Sequence, residues 1–213
     1  MSAGLDLPAT RALLSAAARA VIAAKDRLTK ADQEIGDGDH GVGMARGFAA
    51  FDQATAKEAA SIPELFRNCG RALMMASGGA SGVVFGTLFQ GAVAGLKSDV
   101  LDAEALAGAL AAGLKAVQQR GKASLGDKTM LDALAPAAEA ARAVLLKNGS
   151  LPEVAEAAAR AGREGLEATR GLVAKTGKAK SLGERTIGFV DPGALTTSIL
   201  LDAIAATLSE KGG

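Results

Sequence analysis

Helical periodicity is the feature that most constrains how this chain can fold. Apolar residues recur every three or four positions along most of its length, which is the spacing of one face of an α-helix. No segment shows the alternation that is typical of a β-strand. Eight helices are predicted: residues 13–28, one with Phe48 and Phe51, one opening at Ser61, 85–96, 106–117, 130–145, one opening at Ser150 and one opening at Asp191.

Capping signals mark several of the predicted helix ends. Ser61-Ile-Pro-Glu64 and Ser150-Leu-Pro-Glu153 have the pattern of a capping box with proline in the first turn. Asp191-Pro192 has an N-cap followed by proline, and Asn148-Gly149 is a stop signal. The alanine-rich faces allow close approach of backbones, and no interdomain linker is visible. The sequence therefore predicts an all-α bundle or helical barrel that forms one domain over residues 1–213.

Charge and composition argue against several classes of function. The net charge is +1, aromatic residues make up 3% of the chain, and Trp and Tyr are absent, so we expect no nucleic-acid or anionic membrane partner. The N-terminal residues lack a signal-peptide pattern, and no apolar run has the length of a membrane span. A single cysteine, Cys69, is compatible with a reducing compartment. We expect a cytoplasmic protein.

Function is expected in four glycine-rich segments that break the helical period: 32–43, 76–82, 121–129 and 174–191. The first reads DQEIGDGDHGVG and contains Asp32, Asp37, Asp39 and the single histidine, His40. Clustered aspartates on a flexible loop are hard oxygen ligands that suit Mg²⁺, Mn²⁺ or Ca²⁺. The alternative is a solvated turn whose aspartates act as N-caps.

Phosphate-binding backbone is predicted in two further segments. Residues 77–82, SGGASG, lead into a helix, and the N–H groups at such a helix start can bind an anion. Residues 181–193 carry Arg185, with Lys175, Lys178 and Lys180 just before them. A glycine-rich turn between packed helices and solvated lysines are the alternatives. Arg185 could also pair with Glu184, Asp127 and Lys128 are interpreted as a local N-cap and ion pair, and Met74 and Met75 are assigned to the core.

Four motifs, GDGDHG, GGASGVVFGT, GDKTMLDALAPA and LGERTIGFVDPGA, occur in this order over residues 32–194. Together they resemble the nucleotide-binding L subunit of bacterial dihydroxyacetone kinase, the DhaL or DAK2 family. The resemblance implies an eight-helix antiparallel barrel with ADP or ATP bound at one end. It also implies two Mg²⁺ ions held by Asp32, Asp37 and Asp39.

The resemblance assigns further residues to the nucleotide. The implied contacts are His40, Gly41, Val42, Gly43, Ser81, Gly82, Gly121, Met130, Lys178, Asp191, Pro192 and Gly193. Lys178 stands where a related member has arginine, a change that keeps the charge but loses the planar donor fork. His40 and Arg185 are the candidates for a direct role at the phosphates.

Family members are of two kinds. Fused kinases use ATP, whereas stand-alone L subunits keep ADP as a cofactor. In the second kind, an M subunit recharges ADP from its phosphohistidine, and a K subunit holds dihydroxyacetone on its own histidine. The length of this chain and His40, where fused enzymes tend to have cysteine, favour the phosphoenolpyruvate-dependent kind.

Alternatives to this assignment are an ATP-dependent ketose kinase subunit, a fatty-acid kinase nucleotide domain, a regulatory interaction protein without catalysis, and a metal-storage bundle. The fatty-acid kinase family has a longer chain, and the Glu-x-x-His pairs of metal-storage bundles are absent. A transcriptional regulator is a possible partner, and a homodimer is a possible assembly.

Overall fold

The computed structural model describes residues 4–121 and 123–210, and these parts of the chain are almost entirely helical. Three short 3₁₀ helices, Val93–Gly95, Thr169–Gly171 and Lys178–Thr186, occur in the connections. The only β-type pairing within these ranges is an isolated bridge between Leu5 and Leu101. The α-helices are α1 (Leu7–Ala23), α2 (Lys25–Ile35), α3 (His40–Thr55), α4 (Ile62–Ser77), α5 (Gly79–Ala92), α6 (Ala103–Gly121), α7 (Leu131–Leu145), α8 (Leu151–Ala168) and α9 (Pro192–Glu210).

Eight of these helices form a closed ring in the order α1, α3, α4, α5, α6, α7, α8 and α9, and α9 packs back against α1. Neighbours run antiparallel: Arg11, near the start of α1, donates hydrogen bonds to the carbonyl oxygens of Thr55 and Lys57 at the end of α3. Helices α3, α5, α7 and α9 therefore begin at one end of the barrel, which we call the site end. The predicted all-α antiparallel barrel is confirmed.

The first predicted helix, residues 13–28, is not continuous. Helix α1 ends at Ala23, and α2 begins at Lys25 after a bend of 55°. Ala24 makes no side-chain hydrogen bond that would cap α2. Helix α2 lies outside the ring against α3 and α9. The apolar period continues through the bend because both helices turn apolar side chains, such as Val21 and Leu28, toward the same core.

The core is built from aliphatic side chains and a group of phenylalanines. Phe48, Phe51 and Phe89 pack in tilted and edge-to-face arrangements, with ring centroids of Phe51 and Phe89 4.6 Å apart. Small residues let the helices approach closely. A Cβ atom on Gly70 of α4 would lie 2.9 Å from the carbonyl oxygen of Gly86 in α5.

Helix α9 has the length and mean hydropathy of a membrane-spanning helix, as do α1 and α2 if the bent pair counts as one segment. In the structure α9 packs against α1, α7 and α8, and 56% of its apolar stretch is buried. Its composition is thus accounted for by its position in the barrel.

Candidate functional site

A cavity of about 600 Å³ opens at the site end of the barrel. Its volume is typical of a pocket for a small-molecule ligand. The antiparallel order of the ring brings the starts of α3, α5, α7 and α9 to this cavity, together with the ends of α2, α4 and α6. All four glycine-rich segments contribute to its wall, so the breaks in helical period lie at the cavity.

Three aspartates form a compact acidic cluster on this wall. Asp32 lies in the last turn of α2, and Asp37 and Asp39 lie in the loop before α3. One carboxylate oxygen from each lies within 4.8 Å of the others. Gly38 has φ of +79°, a left-handed conformation that suits glycine and turns the loop back on itself. The spacing in the sequence therefore does place three hard oxygen ligands around one point.

The positively charged ammonium group of Lys178 pairs with this cluster. Its ammonium group donates to Asp37 and, at 2.9 Å, to Oδ2 of Asp39. The hydrogen bond from Lys178 lowers the pKa of the Asp37 carboxyl, and the hydrogen bonds to Asp37 and Asp39 raise the pKa of the lysine. Asp37 and Asp39 are exposed, and Asp32 is half-buried. Because the cluster already attracts one positive charge, its donor set fits a divalent cation.

His40 is buried at the start of α3 and is held on both sides. Its Nε2 lies 2.8 Å from Oγ1 of Thr196 and its Nδ1 lies 3.1 Å from Oγ of Ser81. The Thr196 hydroxyl donates to the carbonyl oxygen of Pro192, so Nε2–H must donate to Thr196 and Nδ1 accepts from Ser81. Burial lowers the pKa of the imidazole, although Asp32 and Asp39 oppose that effect. His40 is therefore a neutral residue that joins α3, α5 and α9.

Two helix starts face the cavity, and the residue before each of them makes no side-chain capping bond. Helix α5 follows Gly78 and begins at Gly79, both of which have positive φ, and no side chain accepts a hydrogen bond from its first turn. Helix α3 follows Asp39, whose side chain makes no capping bond either, but the first N–H of α3, that of His40, donates to Oδ2 of Asp32 at 3.0 Å. The N–H groups of a first helical turn carry partial positive charge and bind anions. This part of the wall is thus an anion cradle beside the acidic cluster.

Part of the cavity wall is apolar. Phe85, Val117 and Met130 are buried side chains that line it, together with Val84 and Leu131. Gly121, at the end of α6, also faces the cavity, and a Cβ atom there would meet nothing within 4 Å. The cavity is therefore amphipathic: its lining suits a ligand that has both an apolar group and a charged group.

In the GDKTM segment, Asp127 and Lys128 contact different partners from those predicted from the sequence. Lys128 is buried with φ of +61°, and its ammonium group donates to the carbonyl oxygens of Thr169 at 2.5 Å and Phe189 at 2.6 Å. Asp127 pairs instead with Lys175 and accepts from the Ser124 N–H. The predicted pair of Asp127 with Lys128 is wrong, because the left-handed backbone at Lys128 turns its side chain into the barrel.

Asp132 was not predicted, although it holds this segment in place. Its buried carboxylate accepts from the N–H groups of Gly126 at 2.6 Å and Thr129 at 2.7 Å. Burial also lowers the pKa of the Lys128 ammonium group. The sequence did contain a signal for Asp132, because an acidic residue is favoured in the first turn of a helix and Asp132 lies in the first turn of α7.

The segment before α9 completes the wall. Asp191 accepts from the Ala194 N–H at 2.7 Å, as the predicted N-cap, and its own N–H donates to the Thr169 hydroxyl. Burial raises the pKa of the Asp191 carboxyl to about 7. Gly193 packs close to Met130, whose Cβ would lie 3.4 Å from a Cβ at this position.

Most of the residues predicted from the sequence line the cavity, namely Asp32, Asp37, Asp39, His40, Val42, Gly43, Ser81, Gly121, Met130, Lys178, Asp191, Pro192 and Gly193. Three predicted residues are not among the lining residues. Gly41 and Gly82 are buried where helices cross, and Arg185 is exposed on the 3₁₀ segment. Their contacts with a nucleotide stay predictions. Arg46 and Lys128 line the cavity but were not predicted as site residues, because Arg46 lies within a predicted helix and Lys128 was interpreted as part of a local ion pair.

Comparison with known proteins agrees with the sequence motifs. A family model described as the DAK2 domain matches residues 34–206. The chain is 39% identical over 184 residues to "PEP-dependent dihydroxyacetone kinase 1, ADP-binding subunit DhaL" of Listeria innocua, covering 86% of this chain and 87% of that protein. It is 38% identical over 185 residues to the "PEP-dependent dihydroxyacetone kinase, ADP-binding subunit DhaL" of Escherichia coli, covering 86% and 88%.

A solved structure shares the fold. The native form of the dihydroxyacetone kinase of C. freundii superposes with a TM-score of 0.72 at 26% identity, over 97% of this chain and 35% of that longer chain. The family match spans most of the sequence, and the barrel and its cavity have the residues that the motifs predict. The chain therefore belongs to the DAK2 domain family.

Proposed function

We propose that this protein is the ADP-binding subunit of a phosphoenolpyruvate-dependent dihydroxyacetone kinase. One observation carries the proposal: a single cavity joins an acidic cluster, the starts of two helices and an apolar wall. That combination suits Mg²⁺, phosphate groups and a purine in that order across the site. The two bacterial relatives named above support it, since both are ADP-binding subunits of such kinases.

In this proposal the nucleotide lies across the cavity. Its adenine would lie against Met130 and near Gly121 on the apolar wall. Its phosphates would meet the N–H groups of Val42 and Ser81 in the first turns of α3 and α5, beside Gly43. Gly41, Val42 and Gly82 belong to the same two helix starts, and Asp191, Pro192 and Gly193 would close the cavity from the start of α9. His40, being neutral and held by Ser81 and Thr196, would keep α3 and α5 in register at the phosphates.

Asp32, Asp37 and Asp39 would hold the metal, as two Mg²⁺ ions. Bound Mg²⁺ neutralises phosphate charge and stabilises the charge that develops during phosphoryl transfer. The aspartates act as ligands and not as acid–base groups. The ammonium group of Lys178 pairs with Asp37 and Asp39. Metal binding would release its ammonium group to the phosphates, and Arg185 would reach them only if its segment moved.

The remaining parts of the reaction belong to other proteins. We infer a K-type subunit that holds dihydroxyacetone and an M-type subunit whose phosphohistidine recharges ADP in place. A transcriptional regulator and a second copy of the chain are further partners in this proposal, and the cytoplasm is the compartment. The phosphoryl group would enter and leave through the open site end, where the exposed Asp37 and Asp39 lie.

Reconstitution tests this function directly. The purified chain is mixed with K-type and M-type subunits, the general phosphotransferase components, dihydroxyacetone and phosphoenolpyruvate, and dihydroxyacetone phosphate is measured. We expect product that depends on this chain and on catalytic amounts of ADP. A parallel reaction contains ATP and no phosphoenolpyruvate. Product in that reaction would favour the ATP-dependent alternative. Nucleotide binding without product in either reaction would instead favour the regulatory alternative.

A further inference from the structure

Arg46 lies nearly two turns into α3 and reaches across to the end of α4. Its Nε donates to the carbonyl oxygen of Ala76 at 2.7 Å, and its Nη2 donates to that of Ser77 at 2.5 Å. The side chain is exposed and lines the cavity. In the part of the chain that the structure describes, no carboxylate pairs with this guanidinium. Its charge is therefore directed at the junction between α4 and α5.

This junction has an electrostatic conflict. Helix α4 ends at Ser77, and α5 begins at Gly79, with only Gly78 between them. The last carbonyl groups of a helix carry partial negative charge, and the first N–H groups of the next carry partial positive charge. The carbonyl oxygens of α4 therefore lie beside the N–H groups that would bind a phosphate, and they would repel it.

We propose that Arg46 is a positioning residue for phosphate binding, and this rests on the proposed function. It covers two of the carbonyl oxygens that end α4 and so leaves the junction net positive. It also fixes the path of the chain through Gly78 and Gly79, because both hydrogen bonds hold the last turn of α4 against α3.

The local packing supports this role. The Ser77 hydroxyl donates to the carbonyl oxygen of Gly43 at 2.9 Å, so the end of α4 is tied to α3 at a second point. A Cβ atom on Gly78 would lie 3.3 Å from Nη2 of Arg46, so the turn passes directly beside the guanidinium. The two helix starts of the anion cradle, α3 and α5, are thereby held at a fixed separation.

Lysine cannot fully replace arginine here. A guanidinium donates along two directions in one plane, whereas an ammonium group is a point charge without that fork. Arg46→Lys would keep the charge but hold only one of the two carbonyl groups well. We therefore expect a graded series, with Arg46→Lys between the wild type and Arg46→Met, which keeps an apolar stem but no charge.

The chain offers a matched control for helix capping. Arg11 also donates to carbonyl oxygens at a helix end, those of Thr55 and Lys57 after α3, and to Ala59 at 3.3 Å. It does so at the other end of α3, about 22 Å from His40 at 1.5 Å per residue. Arg11→Met removes a comparable cap, but it leaves the cavity unchanged.

The test measures the affinities of all four proteins for ADP with Mg²⁺ and for adenosine by titration calorimetry, with melting temperatures taken without ligand. We expect Arg46→Met to weaken ADP binding by about tenfold or more, the usual effect of losing a charge-assisted contact, and to leave adenosine binding unchanged. Arg46→Lys should lose less. Arg11→Met should lower the melting temperature and leave ADP affinity unchanged.

Three results would overturn the inference while the proposed function stands: wild-type ADP affinity in Arg46→Met, an equal loss of ADP affinity in Arg11→Met, or an equal loss of adenosine and ADP binding in Arg46→Met. If Arg46→Met does not fold, the test uses Arg46→Lys. A loss of ADP affinity without a loss of adenosine affinity in that variant supports the inference, and an unchanged ADP affinity or an equal loss of both overturns it. A wild-type chain that binds no ADP would overturn the proposed function and this inference with it.

Discussion

Lys178 and Asp39, 139 positions apart in the sequence, meet at the site end of the barrel with 2.9 Å between Nζ and Oδ2. The same ammonium group also pairs with Asp37. The protein itself thus places one positive charge against an acidic cluster that would hold a metal. The lysine comes from the 3₁₀ segment Lys178–Thr186, so the pair also ties that segment to the loop before α3.

We predict that Lys178→Ala increases the affinity for Mn²⁺ in the absence of nucleotide, because the ammonium group competes with the metal for the same carboxylate oxygens. The same change should weaken ADP binding, because a cation that could meet the phosphates is lost. Mn²⁺ binding can be followed by electron paramagnetic resonance. Lys180→Ala, an exposed neighbour, is the control and should behave as the wild type. Weaker Mn²⁺ binding by Lys178→Ala would contradict the competition.

The Asp191 carboxyl predicts a pH dependence of stability. Burial raises its pKa from 3.8 to about 7 in the folded protein. Between these values the folded state keeps a proton that the unfolded state has released, so the contribution of Asp191 to the free energy of unfolding falls as the pH rises. Asp191→Asn keeps the N-cap but cannot titrate. Urea unfolding across this range should show a difference between the two proteins that changes with pH, and a constant difference would refute the assignment.

Gly41 is expected to be a packing residue. A Cβ atom there would collide with the Thr29 hydroxyl and the carbonyl oxygen of Lys25 in α2. Gly41→Ala should therefore reduce the free energy of unfolding by about 1–3 kcal/mol, the usual cost of overpacking. Gly171→Ala is the control, since nothing lies within 4 Å of a Cβ at that position. Denaturant unfolding measures both, and equal stabilities would show that α2 and α3 can separate at this crossing.

The single histidine can be observed without ambiguity. The contacts of His40 with Ser81 and Thr196 predict a neutral imidazole that carries its proton on Nε2. Burial lowers its pKa from 6.5, so nitrogen NMR of labelled protein should show a neutral ring at pH 6.5. A charged ring at that pH, or a proton on Nδ1, would mean that the hydrogen bonds are arranged in another way.

Local sequence signals predicted most of the fold. Ser61 and Glu64 form the expected cap of α4, with the Glu64 N–H donating to Ser61 at 3.3 Å, and Asp191 caps α9. These signals are short-range, so a sequence displays them directly. The bend at Ala24 was not predicted, because the apolar period of α1 continues into α2. Met75 was assigned to the core because methionine is an apolar residue. It is 79% exposed, since it faces outward near the end of α4.

The candidate site was predictable where its residues are close in sequence. Asp37, Asp39 and His40 stand together, so their proximity could be expected. Contacts between distant segments could not, because they depend on the closure of the ring. Lys128 reaches Phe189, and His40 reaches Thr196, 156 positions away. The family resemblance implied a contact between Lys178 and the nucleotide, but its pairing with the aspartates required the structure.

The most direct test of the acidic cluster as a magnesium and nucleotide site is titration calorimetry of ADP into the wild type and Asp37→Ala, each with Mg²⁺ and with EDTA. The matched control is Asp26→Ala, an exposed aspartate of α2 outside the cavity. We predict saturable binding that needs Mg²⁺ in the wild type and in Asp26→Ala, and a loss of most of that binding in Asp37→Ala, which should remain folded. Equal ADP binding with EDTA, or unchanged binding in Asp37→Ala, would contradict the proposed role of the cluster.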